Sequence, residues 1–214
     1  LVKFTVIGGG ASKDLAKRLA RKLKAVYIET ETKIFPDGES KITLRKIPKK
    51  SVILVVQSTY PPVDTNLLQA LSIISQVRKI SSRTFAIIPY MGYARQDKQF
   101  LSGEVITMSV IAKMLQSAGA KKVIVVDIHS NTALNHFNIP TENISAVPEL
   151  ANYFKKLNLK NPLVVSPDVG GSSRSKKFAS LLKTDFIVLK KHRDRKTGRV
   201  SIQTTKADVQ GKDL

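Results

Sequence analysis

The sequence predicts an α/β protein made of two similar doubly wound parallel-sheet domains, the second of them incomplete. Short apolar runs at 52–57, 84–89 and 123–127 alternate with stretches of helical periodicity, as buried parallel strands alternate with crossover helices. Polar loops rich in Asp, Gly or Tyr follow the runs, where parallel sheets present their ligand sites. The alternation restarts near residue 146, so the domains are expected over 1–146 and 147–214.

The elements follow in order. Phe4–Ile7 reads as a strand, and Gly8-Gly9-Gly10 as a phosphate-compatible turn. Ser12 is placed to cap a helix whose Leu15, Leu19 and Leu23 share one face. The turn lacks the Lys-Ser/Thr pair of a P-loop, which leaves it a weak phosphate signal. Val26–Glu29 and Ser40–Leu44 read as strands around the loop Phe35–Glu39. Val52–Gln57 is a buried strand; after Ser58-Thr59-Tyr60-Pro61-Pro62 a helix starts at Asp64 or Thr65 and ends near Lys79. Thr84–Pro89 is the next strand, Glu104–Ser117 a helix closed by Gly119, and Val123–Asp127 a further strand. In the second half, Pro148 precedes a helix over Glu149–Lys156. Leu163–Ser166 is a strand, Ser172–Leu182 a helix, and Phe186–Leu189 a strand that runs into a basic loop over Lys190–Arg199. Two or three strands make a poor independent domain, and the chain turns polar after Ile202, so its C-terminal part is expected to be missing.

Composition narrows the function. The 214 residues hold 42% hydrophobic side chains and no Cys, which excludes disulfides and thiolate metal sites. No apolar run approaches the roughly 20 residues of a membrane span, and LVKFTVIGGG reads as a strand and turn and not as a signal peptide. A cytoplasmic enzyme is expected. The net charge of +20 points to anionic partners: nucleotides, sugar phosphates or nucleic acid. Residues 51–150 are nearly balanced, with 8 basic and 6 acidic side chains. The excess therefore lies in the first 50 residues and the last 64. Much of it, as at Lys13, Lys17, Arg21 and Lys24, reads as a solvated helix face.

Ile87–Phe100, IIPYMGYARQDKQF, is the most distinctive stretch, with Tyr90, Tyr93, Arg95, Gln96, Asp97 and Lys98 at the carboxyl end of an expected strand. Arg offers a planar fork for phosphate, Gln a donor and acceptor, and Asp an acceptor or metal ligand. Asp127 and His129 stand two apart at another strand end, where alternation puts them on one side and a divalent cation can be held. A buried His bonded to a carboxylate has the same spacing. Asp168, followed by Gly170-Gly171, suits a metal or a sugar hydroxyl, or else caps the next helix, a role that Ser172 or Ser173 fills better. Lys190–Arg195, KKHRDR, is a solvated loop or a catalytic one that neutralises phosphate charge in the transition state. Phe35-Pro36-Asp37-Gly38-Glu39 is an ordinary turn or an adenine site with a stacking ring and acceptors.

FPDGE, QSTYPPVDTNLLQAL, PYMGYARQDK, DIHS, VVSPDVGGSSR and the Lys191-His192-Arg193 triplet resemble, in order and spacing, the motifs of ribose-phosphate pyrophosphokinase. The resemblance covers nearly the whole chain and implies domains of the phosphoribosyltransferase type. It implies that Phe35 stacks on adenine, often from a neighbouring subunit, with Asp37, Gly38 and Glu39 contacting the base. Arg95, Gln96 and Asp97 would bind ATP. His129 and Asp168 would serve Mg2+, with Asp127 a weaker candidate. Lys191 matches the catalytic lysine and Arg193 the catalytic arginine that contacts ribose 5-phosphate; Lys190 is not at the matching position. The implied partners are ATP, ribose 5-phosphate and further copies of the chain in a homodimer or higher homo-oligomer, with no nucleic acid and no membrane. The implied reaction moves the diphosphoryl group of ATP to the 1-hydroxyl of ribose 5-phosphate, giving phosphoribosyl pyrophosphate and AMP for nucleotide biosynthesis.

The chain also departs from the family. The acidic pair and Thr-Gly-rich loop that grip the ribose phosphate in the family are expected about a strand after Leu214. QFLSGE stands where bacterial members carry several arginines, which is similar to an archaeal-like branch, and Val169 stands where His is frequent. A non-catalytic nucleotide-binding homologue, a phosphoribosyltransferase and a nucleic-acid-binding module are the rival expectations. The first would have no reason to keep Lys191, Arg193, His129 and Asp168. The second has no need of an adenine loop.

Overall fold

The computed structural model describes residues 3–45, 47–48, 51–193, 200–203 and 209–214; over 190–193 and 200–203 it describes the backbone. The chain divides into two compact units, Leu1–Ile144 and Ser145–Leu214.

The first unit is a seven-stranded sheet in the order β3-β2-β1-β4-β5-β6-β7. Its elements are β1 (Phe4–Gly8), α1 (Lys13–Lys22), β2 (Val26–Ile34), β3 (Ser40–Leu44), β4 (Val52–Val56), α2 (Val63–Arg78), β5 (Thr84–Ile88), α3 (Thr107–Ala118), β6 (Lys122–Val126) and β7 (Thr141–Ile144). All neighbours are parallel except β2 and β3. The strand β4, VILVV, shows why the sheet is wound on both faces. All of its residues are buried. Ile53 and Val55 join Ile73, Ile74 and Val77 of α2 and Met108 and Leu115 of α3 in one core. Val52, Leu54 and Val56 point the other way, to Ala16 and Ala20 of α1. Alternation along a strand buried on both sides produces two cores from one apolar run.

Several expectations are corrected. A 3-10 turn over Gly10–Ser12 precedes α1, and Ser12 stands at the N-cap position without a side-chain cap bond; its hydroxyl accepts from the Ser58 amide at 2.8 Å. The strand β2 runs past Glu29 to Ile34, because β3 folds back on it antiparallel from Thr30 onward. The helix α3 starts at Thr107, since the Glu104 carboxylate closes a turn by accepting from the amides of Phe100 (2.8 Å) and Leu101 (3.1 Å). Gly119 does end that helix, at φ 108°. The edge strand β7, Thr-Glu-Asn-Ile, carries no apolar run by which to foresee it.

The second unit holds α4 (Val147–Phe154), β8 (Val164–Ser166), α5 (Ser172–Leu182), β9 (Phe186–Val188), β10 (Lys190–Arg193) and β11 (Val200–Gln203). Pro148 lies in the first turn of α4, where its missing N–H costs nothing. Phe154 of α4 meets Phe178 of α5 edge to face, with ring centroids 5.4 Å apart. The strands β8 and β9 pair in parallel, whereas β10 and β11 form an antiparallel ribbon. Lys190–Arg193 is thus strand and not loop; Asp194–Arg199, the rest of the expected basic loop, lies outside the described residues. Among the described residues, no helix is long and apolar enough to cross a membrane.

Candidate functional site

The carboxyl ends of β1, β4, β5 and β6 bring four of the expected motifs to one edge of the first unit's sheet. Buried polar side chains fix the loops there. Gln57, 1% exposed, accepts from the Ala11 amide through Oε1 (3.1 Å) and donates through Nε2 to Asn66 Oδ1 (3.3 Å). Asn66 Nδ2 in turn donates to the Tyr60 carbonyl at 2.6 Å. Thr59 grips the next loop. Its amide (3.0 Å) and hydroxyl (2.8 Å) both donate to the Tyr90 carbonyl, and its hydroxyl accepts from the Gly92 amide at 2.7 Å. The approach is so close that a Cβ on Gly92 would lie 2.7 Å from Val63 Cγ1. The QST of QSTYPP is therefore the seat of PYMGYARQDK.

Amides in and beside the glycine-rich turn are bonded within the protein. The Gly9 amide donates to the Val56 carbonyl (2.9 Å), the Ser12 amide to the Gly9 carbonyl (3.0 Å), and Ala11 to Gln57. A cavity of about 470 Å³ lies beside it, lined by Gly10–Leu15, Ser58 and Pro89. None of the residues expected to hold ATP lines it.

Within the RQD stretch the side chains part company. Arg95 and Gln96 are exposed, while Asp97 is 6% exposed. The Gln96 amide donates to the Tyr93 carbonyl (2.8 Å), and the Gln96 carbonyl accepts from the Met108 amide (3.1 Å). The Asp97 carboxylate is turned into the protein. It accepts from Thr132 Oγ1, and Thr132 Oγ1 lies 2.7 Å from Ser130 Oγ. Burial pushes the Asp97 carboxyl up, but the hydroxyls of Thr132 and Ser130 outweigh it and hold it below its ordinary value. Tyr93 donates to Asp64 Oδ1, and this bond raises the phenol above its ordinary range.

The DIHS motif follows β6. The strand ends at Val126, and Asp127 takes the left-handed conformation, φ 41°, with its amide donating to the Ile144 carbonyl at 2.9 Å. The alternation that would put Asp127 and His129 on one side stops before it reaches them. His129 is exposed. Among the described residues no three His, Cys, Asp or Glu side chains gather as a metal cage. Mg2+ needs no such cage when substrate phosphates and water supply its other ligands, and the exposed His129 imidazole is open to a cation held in that way.

Asp168 lies in the second unit. Asp168 Oδ1 accepts from the Gly171 amide at 3.0 Å and caps the 3-10 turn Val169–Gly171, leading directly into α5. Capping is done here by Asp168 and not by Ser172, whose hydroxyl donates to the Val169 carbonyl at 2.7 Å. Lys191 and Arg193 occupy alternate positions of β10, opposite Ile202 and Val200 of β11. Phe35, Asp37, Gly38 and Glu39 form the exposed tip of the β2–β3 hairpin. The Gly38 amide donates to the Phe35 carbonyl (2.9 Å), Gly38 has φ 92°, and the Glu39 amide donates to Asp37 Oδ1 (3.1 Å). Lys33 Nζ stands 5.5 Å from the Phe35 ring centre.

Comparison with known proteins adds independent findings. Residues 4–119 match the family model described as the N-terminal domain of ribose phosphate pyrophosphokinase. Over 207 residues the chain is 38% identical to a ribose-phosphate pyrophosphokinase of Methanobrevibacter smithii, spanning 96% of this chain and 68% of that one. Over 211 residues it is 34% identical to that of Sulfurisphaera tokodaii, spanning 98% and 72%. The crystal structure of phosphoribosylpyrophosphate synthetase from Mycobacterium smegmatis superposes with a TM-score of 0.82 at 28% identity, over 98% of this chain and 69% of that one.

Proposed function

The chain belongs to the ribose-phosphate pyrophosphokinase family, and from that membership we propose that it takes part in transfer of the diphosphoryl group of ATP to the 1-hydroxyl of ribose 5-phosphate. The observation that supports this reading is the convergence, at one sheet edge, of the loop bearing exposed Arg95 and Gln96 with the loop bearing exposed His129. The hydroxyl oxygen bonds to the β-phosphorus, the bond from that phosphorus to the α,β-bridging oxygen breaks, and AMP leaves. Such a transfer is governed by alignment and charge neutralisation. Arg95 and Gln96 hold ATP from unit one. Phe35 stacks on adenine, and Asp37, Gly38 and Glu39 contact it. Lys191 and Arg193 bring positive charge to the phosphates, and Arg193 also contacts ribose 5-phosphate. His129 and Asp168 hold Mg2+, with Asp127 as a lesser candidate; the ion, when bound, draws charge from the phosphate oxygens. The reaction fits a cytoplasmic, homo-oligomeric enzyme of nucleotide biosynthesis.

Labelled ATP supplied with and without ribose 5-phosphate tests the reading. Ribose 5-phosphate-dependent AMP is expected; ADP in its place would overturn it. Calorimetric ATP binding should weaken by about 1.5–3 kcal/mol in Arg95→Ala, as for loss of a charge-assisted contact. Undiminished affinity would remove Arg95 from the site.

A further inference from the structure

We propose that Asp97 is a positioning residue that clamps the Arg95–Gln96 loop to the segment following His129, and does not itself touch the nucleotide. The proposal rests on the reading of those two loops as ATP and cation sites. Asp97 reaches across 35 and 39 residues of sequence, to Thr132 and His136. Its carboxylate accepts from Thr132, and Ser130 Oγ lies 2.7 Å from Thr132 Oγ1. Its carbonyl lies 2.7 Å from His136 Nε2. A carbonyl only accepts, so Nε2 carries the proton and the His136 tautomer is set. Ser130, Thr132 and His136 all lie in or beside the 3-10 helix Asn131–His136.

Geometry separates this role from a direct contact. Arg95 and Gln96 have exposed side chains, and the apolar anchors of the loop, Met91 and Ala94, lie on its N-terminal side, before Arg95. The loop is pinned at Thr59, at Met108 and at Asp97. Of these, Asp97 is the one that also holds the chain next to His129. An acceptor at 97 thus fixes the distance between the phosphate-facing loop and the cation-facing loop before ligand arrives, which is preorganisation of a two-part site.

ATP affinity in Asp97→Ala, Thr132→Val, their double variant, Asp97→Asn and Arg95→Ala decides it. Asp97→Ala and Thr132→Val are each expected to weaken ATP binding about tenfold, with the double variant no worse than Asp97→Ala. Asp97→Asn keeps an acceptor oxygen and should recover most of the affinity that alanine loses. A direct contact gives a different pattern: Asn fails like Ala, and Thr132→Val binds as wild type. Either that result, or unchanged affinity in both Asp97→Ala and Thr132→Val while Arg95→Ala is impaired, overturns the proposal. If Asp97→Ala does not fold, Thr132→Val carries the comparison. Hydrogen exchange gives a readout without nucleotide, so it separates the clamp from the ATP reading, whose failure would show as intact affinity in Arg95→Ala. Thr132→Val should speed exchange both in residues 90–104 and in 128–137. Acceleration confined to 128–137 would mean that Thr132 does not hold the Asp97 loop, and would overturn the clamp.

Discussion

A Cβ on Gly9 would sit 2.1 Å from Gln57 Oε1 and 2.7 Å from Gln57 Cδ. Gln57 cannot yield easily, because it is buried and bonded at both ends, to Ala11 and to Asn66. Gly9→Ala is therefore expected to destabilise by about 1–3 kcal/mol, as overpacking does, checked by urea unfolding. Asp97 makes the pH-dependent counterpart. Its carboxyl lies below the ordinary 3.8 in the folded protein. The stability it lends is thus complete above about pH 4 and lost as pH falls through the folded value. The melting-temperature gap between wild type and Asp97→Asn should narrow as pH is lowered from about 5 toward about 2; a gap independent of pH would refute the charge's part. The two residues also mark what the sequence conveys at this scale. The glycine run announces a tight turn, though not that the Gln57 side chain packs against Gly9 and takes the Ala11 amide beside it. RQD announces polar chemistry, but adjacent residues on an irregular loop have no period, so nothing in the sequence reveals that Asp97 alone turns inward.

At the scale of elements, apolar runs foretell what they bury. The strands β4, β5 and β6 and the helix α2 lie where periodicity places them, because their own side chains make the core. Elements set by a partner are less legible. The strand β7 is held by pairing with β6, the outer half of β2 by β3, and β10 by β11. Polar stretches of this kind look like loops until the neighbouring strand is known. The strand β10 matters most, since Lys191 and Arg193 fall on it two positions apart, with Lys190 at the other register. If the pair acts on charge that grows only in the transition state, Lys191→Ala should cut turnover about 100-fold or more with substrate binding little changed. Lys190→Ala should have a small effect. Comparable small losses at both positions in steady-state kinetics would sink the catalytic role.

At the scale of the whole molecule, the β2–β3 hairpin bears on assembly. The strand β1 stops at Gly8, opposite Glu29, and β2 continues to Ile34 paired with β3 alone. Five further residues at about 3.3 Å each carry the tip roughly 16 Å beyond that pairing. Arg95 follows β5, three strands across from β2, or roughly 14 Å at about 4.8 Å per strand. The tip's hydrogen bonds stay within the turn, and Phe35, Asp37 and Glu39 are all exposed. The family resemblance implies an adenine role for FPDGE; this separation follows from the strand order. A nucleotide held by both groups is therefore expected to take its adenine platform from one copy and its Arg95 from another, which requires at least a dimer. Light scattering should find one, and a strict monomer that binds ATP tightly would contradict it. Complementation goes further. Phe35→Ala and Arg95→Ala should each bind ATP poorly alone. After mixing and subunit exchange, about a quarter of the sites would pair an intact Arg95 with an intact Phe35, if copies associate at random. Recovery of ATP binding near that fraction supports a shared site; no recovery, with exchange verified, places both groups in a single copy.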